Sequence, residues 1–277
     1  MKTKRKSRFR LLNESKGFTL IELMISMTIL GTVLGVVFMS YNSQLKSYYY
    51  QKQISEMQQN LRAALFLMTN EIKKAGLDSS RDADSDLITV NSDSISFTMD
   101  FTGGFGDNID NNNDGNIDEG ADGSDNNGNL FVDEPDEFEW FDGKTDGPGE
   151  NITYRLSNDT DNDGINDALQ DINNLECGLE RTDHNTGNTA MVAYNIDALN
   201  FTYLNNARDI ESVISKIRTV QISIIGRTNT GDSHMMKNKA VNQAFSNSAG
   251  TVILANQNDD IHRLIISTEV YCRNMGM

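Results

Sequence analysis

Two stretches of this sequence place oxygen-bearing side chains at alternate positions and follow them with glycine. In DTDNDGIND, Asp159, Asp161 and Asp163 alternate, Gly164 comes next, and Asp167 lies four residues after Asp163. In DNNNDGNID, Asp110, Asn112 and Asp114 alternate, with Gly115 next and Asp118 four after Asp114. This pattern is the front of a calcium loop. Oxygen ligands at positions one, three and five wrap a hard cation, glycine at six permits the sharp turn, and a backbone carbonyl serves position seven. Position seven is Asn116 in the first loop and Ile165 in the second. The spacing predicts a structural calcium ion in each.

Both loops depart from an EF-hand. Position twelve, a bidentate glutamate there, is Ala121 in one loop and Gln170 in the other, and no helical pattern flanks either. They resemble the DxDxDG repeats of extracellular calcium modules, with Asp122 and Asp171 placed to close the sites. A third stretch, DNNGNLFVDE at 125–134, matches in part. Modules of this kind hold calcium at roughly 10⁻⁴ to 10⁻³ M, which suits an ion outside the cytoplasm.

Other chemistry is sparse. His184, His234 and His262 form neither an HExxH motif nor a pair at helical spacing, so zinc has no ligand set. No nucleophile elbow or phosphate loop is present. The acids cluster as cation ligands rather than as an isolated acid–base pair, and no enzyme activity is expected. Two cysteines, Cys177 and Cys272, are too few for a disulfide scaffold. In an exported body they could form one bridge or stay as thiols. The chain carries 24 Lys and Arg against 40 Asp and Glu, a net −16. Seven of the basic residues (Lys2, Lys4, Arg5, Lys6, Arg8, Arg10, Lys16) lie before Gly17. The body is therefore strongly acidic, which argues against nucleic-acid binding.

The elements that carry these loops are short and β-like. LITV (87–90), SISFTM (94–99), NITYRL (151–156), MVAYNIDALNFTYL (191–204), VQISIIG (220–226) and RLIISTEVYC (263–272) alternate or are rich in β-branched and aromatic residues, between polar turns. Residues 230–250 read as a long loop. Ahead of the strands, Ile54, Met57, Leu61, Leu65, Met68 and Ile72 recur at three- and four-residue spacing, one face of an amphipathic helix that Gly76 stops. The expectation is an α+β fold: one helix from about 18 to 75 packed on an antiparallel sheet.

The first half of that helix is a different object. From Phe18 to Met39 the residues are predominantly apolar, about the length that crosses a bilayer. Tyr41, Tyr48, Tyr49 and Tyr50 follow, suited to the membrane–water interface, and the preceding basic tract keeps the N-terminus cytoplasmic. Glu22 sits inside this run, where an acid at mid-bilayer costs roughly 2.5–3.5 kcal/mol. Gly31 and Gly35 form a GxxxG spacing.

Lys16-Gly17-Phe18-Thr19-Leu20-Ile21-Glu22-Leu23 resembles the class III signal of type IV pilins and type II secretion pseudopilins. The resemblance implies cleavage by a prepilin peptidase between Gly17 and Phe18, N-methylation of Phe18, and pairing of Glu22 with the N-terminal amine of a neighbouring subunit. A paired buried charge is tolerable where an unpaired one is costly. Residues 57–78 and the tail 263–277 are similar to PilW-type minor pilins, and the J-type pseudopilins share the plan. Implied are a basic leader at 1–17, a helix at 18–76 that spans the inner membrane over about 18–40, and a periplasmic or extracellular β-rich domain at 77–277 with an acidic insert over about 103–171. The implied function is that of a minor pilin in type IV pilus assembly, with other pilins as partners through the helix. The alternatives are a minor pseudopilin of type II secretion, or a calcium-dependent adhesin displayed on a pilus.

Overall fold

The computed structural model describes residues 17–78, 83–101, 144–169, 178–228, 243–259 and 261–275. The chain divides into two units, Met1–Gln51 and Lys52–Met277. One helix, α1, runs Leu20–Ile72 and contributes to both.

In the first unit the apolar side chains of α1 are exposed, from Leu20 and Ile21 to Phe38 and Met39. This is the part of α1 that is long and apolar enough to cross a membrane, with a mean hydropathy of 2.1 over its best window. Its hydroxyl groups return to the backbone of the preceding turn. Ser26 donates to the Glu22 carbonyl at 2.7 Å, Thr28 to Met24 at 2.9 Å, and Thr32 to Ile29 at 2.8 Å. Bonds of this kind satisfy the hydroxyl groups within the helix itself, whatever surrounds it.

In the second unit α1 buries the expected face. Met57, Leu61, Ala64, Leu65, Met68 and Ile72 are buried, at three- and four-residue intervals. Full burial of side chains such as Leu61, Met68 and Ile72 stabilises by about 1.5–3 kcal/mol each. The helix ends at Ile72, and the chain turns through Gly76, whose φ of +71° favours a residue without Cβ.

The strands are β1 (Leu87–Val90), β2 (Ile95–Thr98), β3 (Asn151–Leu156), β4 (Gly178–Asp183), β5 (Asn188–Tyr194), β6 (Ile196–Leu204), β7 (Thr219–Arg227), β8 (Phe245–Ser246), β9 (Val252–Leu254) and β10 (Arg263–Tyr271). All named pairings are antiparallel, as expected. They make three sheets rather than one: β1-β2-β3-β4-β5, β10-β7-β6, and the small β8-β9. The stretch 191–204, expected as one strand, breaks at Asn195. That residue takes φ +58°, a left-handed conformation asparagine tolerates, and the chain passes from the first sheet to the second. Strand β3, counted with the acidic insert from sequence, is the middle strand of the five. Strands β4, β8 and β9 were not expected.

The core follows from side-chain alternation. Ile95 and Phe97 of β2, Ile152 and Tyr154 of β3, and Leu179 of β4 join the helix face, with Leu199, Phe201, Ile222 and Ile224 from the second sheet. Strand β7 is buried almost throughout. Ile222 and Ile224 face the main core, while Ile225 joins Ala198, Phe245, Ile253 and Leu254 in a second cluster under β8–β9. Polar residues of β7 are buried as well, Gln221, Ser223 and Arg227 among them, and they find partners in Glu269, Ser267 and Asp197. At the end of α1, Glu71 accepts from Tyr154 Oη at 2.5 Å and from Arg181 Nε at 3.0 Å, which ties the helix to β3 and β4.

Candidate functional site

The loop after β3 brings three of its aspartates together. One carboxylate oxygen each from Asp159, Asp161 and Asp163 lies within 4.8 Å of the other two. Two oxygens bound to one calcium at about 2.3–2.6 Å are at most about 5 Å apart, so the three can share an ion. The backbone is wound around Asp159. Its carboxylate accepts the N–H groups of Asp163 at 3.1 Å and Gly164 at 2.9 Å. Asn162 and Gly164 take φ values of +59° and +80°. A Cβ on Gly164 would lie 2.5 Å from the Leu199 carbonyl oxygen, so both backbone angle and space demand glycine here.

Ile165 pairs with Ala198 of β6 through an isolated antiparallel bridge. The bonds run from Leu199 N–H to the Gly164 carbonyl at 2.9 Å and from Asn166 N–H to the Asp197 carbonyl at 2.9 Å. The N–H and C=O of Ile165 itself therefore face away from β6. The N–H reaches Asp163 Oδ1 at 2.7 Å. The carbonyl, expected at position seven, faces that same edge. Asp167 stands apart: its Oδ2 accepts the Thr160 N–H at 2.9 Å and the Thr160 hydroxyl. That suits position nine, where a ligand often acts through water.

Charge is distributed unevenly along the loop. Burial, with the charges of Asp163 and Asp93, pushes the Asp159 carboxyl above its usual range despite the two N–H groups that oppose the shift. The two hydrogen bonds from Thr160 hold Asp167 below it. The loop's exit is anchored by a buried ion network. Arg227 Nη1 donates to the Leu169 carbonyl at 2.9 Å, and its Nε lies 3.3 Å from Asp197 Oδ1. Arg263 Nε donates to Asp197 Oδ2 at 2.5 Å, and its terminal nitrogens grip Asp259 at 2.6 and 2.7 Å.

Of the other expected residues, Asp110, Asn112, Asp114, Asn116 and Asp118 lie outside the described residues, as do Asp122, Gln170, Asp171 and the stretch 125–134. Cys272 is buried with its thiol free, and burial pushes that thiol up to about 12. Cys177, the residue it could bridge to, lies outside the described residues. His184 is exposed and bonds to Thr153 Oγ1 at 2.7 Å.

At the N-terminus, Gly17 and Phe18 precede α1 and are exposed. Glu22 folds back on the helix start. It accepts from the Thr19 N–H at 2.8 Å and from the Thr19 hydroxyl at 2.9 Å, while the Thr19 hydroxyl faces the Glu22 N–H at 3.3 Å. This is a reciprocal capping box, readable in sequence as T-x-x-E before an apolar run. It gives Glu22 an intramolecular partner, and Thr19 a role that sequence reading passed over. Thr160 was passed over too, because no spacing rule marks a hydroxyl that holds a loop aspartate.

Comparison with known proteins bears on the two ends of this picture differently. A search of curated proteins found no match. In structure, the chain resembles a type IV-like pilin from Thermus thermophilus at 9% identity and a TM-score of 0.40, over 80% of this chain and 100% of that one. That degree of likeness establishes neither fold nor function for this chain. Residues 12–38 match the family model of the prokaryotic N-terminal methylation motif. This match brackets the Gly17–Phe18 junction, Glu22 and the first apolar turns of α1, so the chain carries a class III prepilin signal.

Proposed function

We propose that this chain is a minor pilin of the PilW type, processed by a prepilin peptidase, held in the inner membrane by the first half of α1, and assembled with other pilins through that helix. The methylation motif at 12–38, immediately ahead of a membrane-length apolar helix, carries this reading. The basic tract before Gly17 favours a cytoplasmic N-terminus and a periplasmic body. Glu22 serves first as the N-terminal cap of its own helix and then as the partner for the Phe18 amine of a neighbour. Intact-mass analysis and N-terminal sequencing of the membrane-extracted protein test the reading. The expected mature chain begins with N-methyl-Phe18, and a chain that begins elsewhere refutes it. Recovery with sheared pili, rather than with a secretion complex, is the expected outcome that separates a pilus from a type II secretion machine.

The body carries a structural calcium ion at Asp159, Asp161 and Asp163, with the Ile165 carbonyl at position seven and Asp167 at nine. The convergence of three carboxylates within 4.8 Å supports this. Calcium is favoured over magnesium, which demands stricter octahedral geometry and releases its water reluctantly. The Asp110–Asp118 loop is assigned the same role from its sequence alone. Thermal melting of the full chain in detergent with calcium, with magnesium and with chelator is the test. Three superimposed melts refute the calcium assignment and leave the pilin reading standing.

A further inference from the structure

We propose that Asp93, in the turn between β1 and β2, is a fourth carboxylate of the cation site and acts on the ion across a bound water. The proposal rests on the calcium reading above. Asp93 is only 7% exposed. Among the described residues no hydrogen bond or ion pair reaches its carboxylate. With no protein partner among them, that carboxylate is left to water or an ion. The Asp159 loop lies directly against it: a Cβ on Gly164 would sit 3.5 Å from Asp93 Cα and 3.7 Å from its Cβ.

The backbone fixes the juxtaposition. The Gly164 carbonyl accepts the Leu199 N–H at 2.9 Å, and the Ser92 carbonyl accepts the Phe201 N–H at 2.8 Å. The loop and the β1–β2 turn thus dock side by side on the same edge of β6. Tyr203 seals the turn, with its hydroxyl donating to the Asn91 carbonyl at 2.9 Å. Asp93 is not one of the three carboxylates that converge within 4.8 Å, which is why it acts through water. One divalent ion would then neutralise charge from both pieces. It would join the β1–β2 hairpin of the five-stranded sheet to β6 of the three-stranded one, and calcium would set how firmly the two sheets are joined.

The test is calorimetric titration of calcium chloride into the chelator-treated full chain in detergent, for wild type, Asp93→Asn, Asp161→Asn and the exposed control Asp209→Asn. Loss of an outer-shell partner lowers metal affinity roughly 10- to 100-fold. The expected result is a loss of at least about tenfold for Asp93→Asn, a larger loss for Asp161→Asn and none for Asp209→Asn. Without calcium, Asp93→Asn should melt at or above wild type, because a like charge beside the loop's aspartates is gone. Amide exchange in 91–94 should slow on calcium addition in wild type and not in the variant. Wild-type affinity in Asp93→Asn overturns the inference and spares the calcium reading. Weaker binding with a lower calcium-free melting point marks Asp93 as a folding residue and also overturns it. No calcium heat in wild type overturns both.

Discussion

Gly164→Ala is the sharpest probe of the loop. The left-handed φ of +80° costs an L-residue about 1–2 kcal/mol. The new Cβ would stand 2.5 Å from the Leu199 carbonyl oxygen, and a backbone atom in a strand cannot yield. The loop must therefore lift off β6, with loss of the 2.9 Å bond between Leu199 N–H and the Gly164 carbonyl, worth about 1 kcal/mol net. The expected cost is about 2–3 kcal/mol. For a unit of this size that lowers Tm by roughly 5–10 °C. Gly187→Ala is the matched control. Its φ is +70°, but nothing lies within 4 Å of its Cβ position, so only the backbone term applies. Thermal melting of both variants, with and without calcium, is the assay. Gly164→Ala should also lose most of the calcium-induced rise in Tm, because the Ile165 carbonyl moves with the loop, while Gly187→Ala keeps it. Equal losses in the two variants, or a full calcium response in Gly164→Ala, refute the claim that the loop is docked on β6 in its binding shape.

Four other outcomes follow from the same structure. Arg263→Met should destabilise by up to about 3 kcal/mol, since it removes one of the two arginines that hold the fully buried Asp197 and leaves Arg227 alone with it, whereas Arg208→Ala, in an exposed pair with Glu269, should cost under about 1 kcal/mol; chemical denaturation compares them. Calcium affinity should fall from pH 7 to pH 5. The raised folded value of Asp159 lets protons compete earlier than at an ordinary aspartate, and by the same sign the calcium-free fold gains from that group as pH drops; calorimetry at the two pH values checks this. The Cys272 thiol, pushed up to about 12 by burial, should resist alkylation in the folded chain and react on unfolding, which mass spectrometry reads. Glu22→Ala should still insert in the membrane but enter sheared filaments poorly, and Thr19→Ala should show a milder form of the same defect; immunoblots of sheared fractions decide, and wild-type recruitment of Glu22→Ala refutes an assembly role.

What could be read in advance divides along physical lines. The α1 face from Met57 to Ile72 was legible because helical periodicity is a local signal and the same residues meet the core. The convergence of the alternate aspartates of 159–163 was legible because the loop that gathers them is wound from consecutive residues. The break at Asn195 was not, since apolar residues run through it and only a left-handed backbone angle moves the chain to another sheet. Strand β4, GLERTD, was hidden for a related reason. Arg181 points inward yet is polar, because Glu71 waits for it on α1, so the alternation a reader looks for is absent. Asp93 is the furthest case. In the sequence it is one acid in a polar turn, NSDS, with no spacing that ties it to Asp159. Only the pairing of Ser92 with Phe201 and of Gly164 with Leu199 sets the two loops side by side. A carboxylate cluster wound within one loop is written in residue order. One assembled across a sheet edge is written in strand register, and register is settled by the core rather than by the residues that do the chemistry.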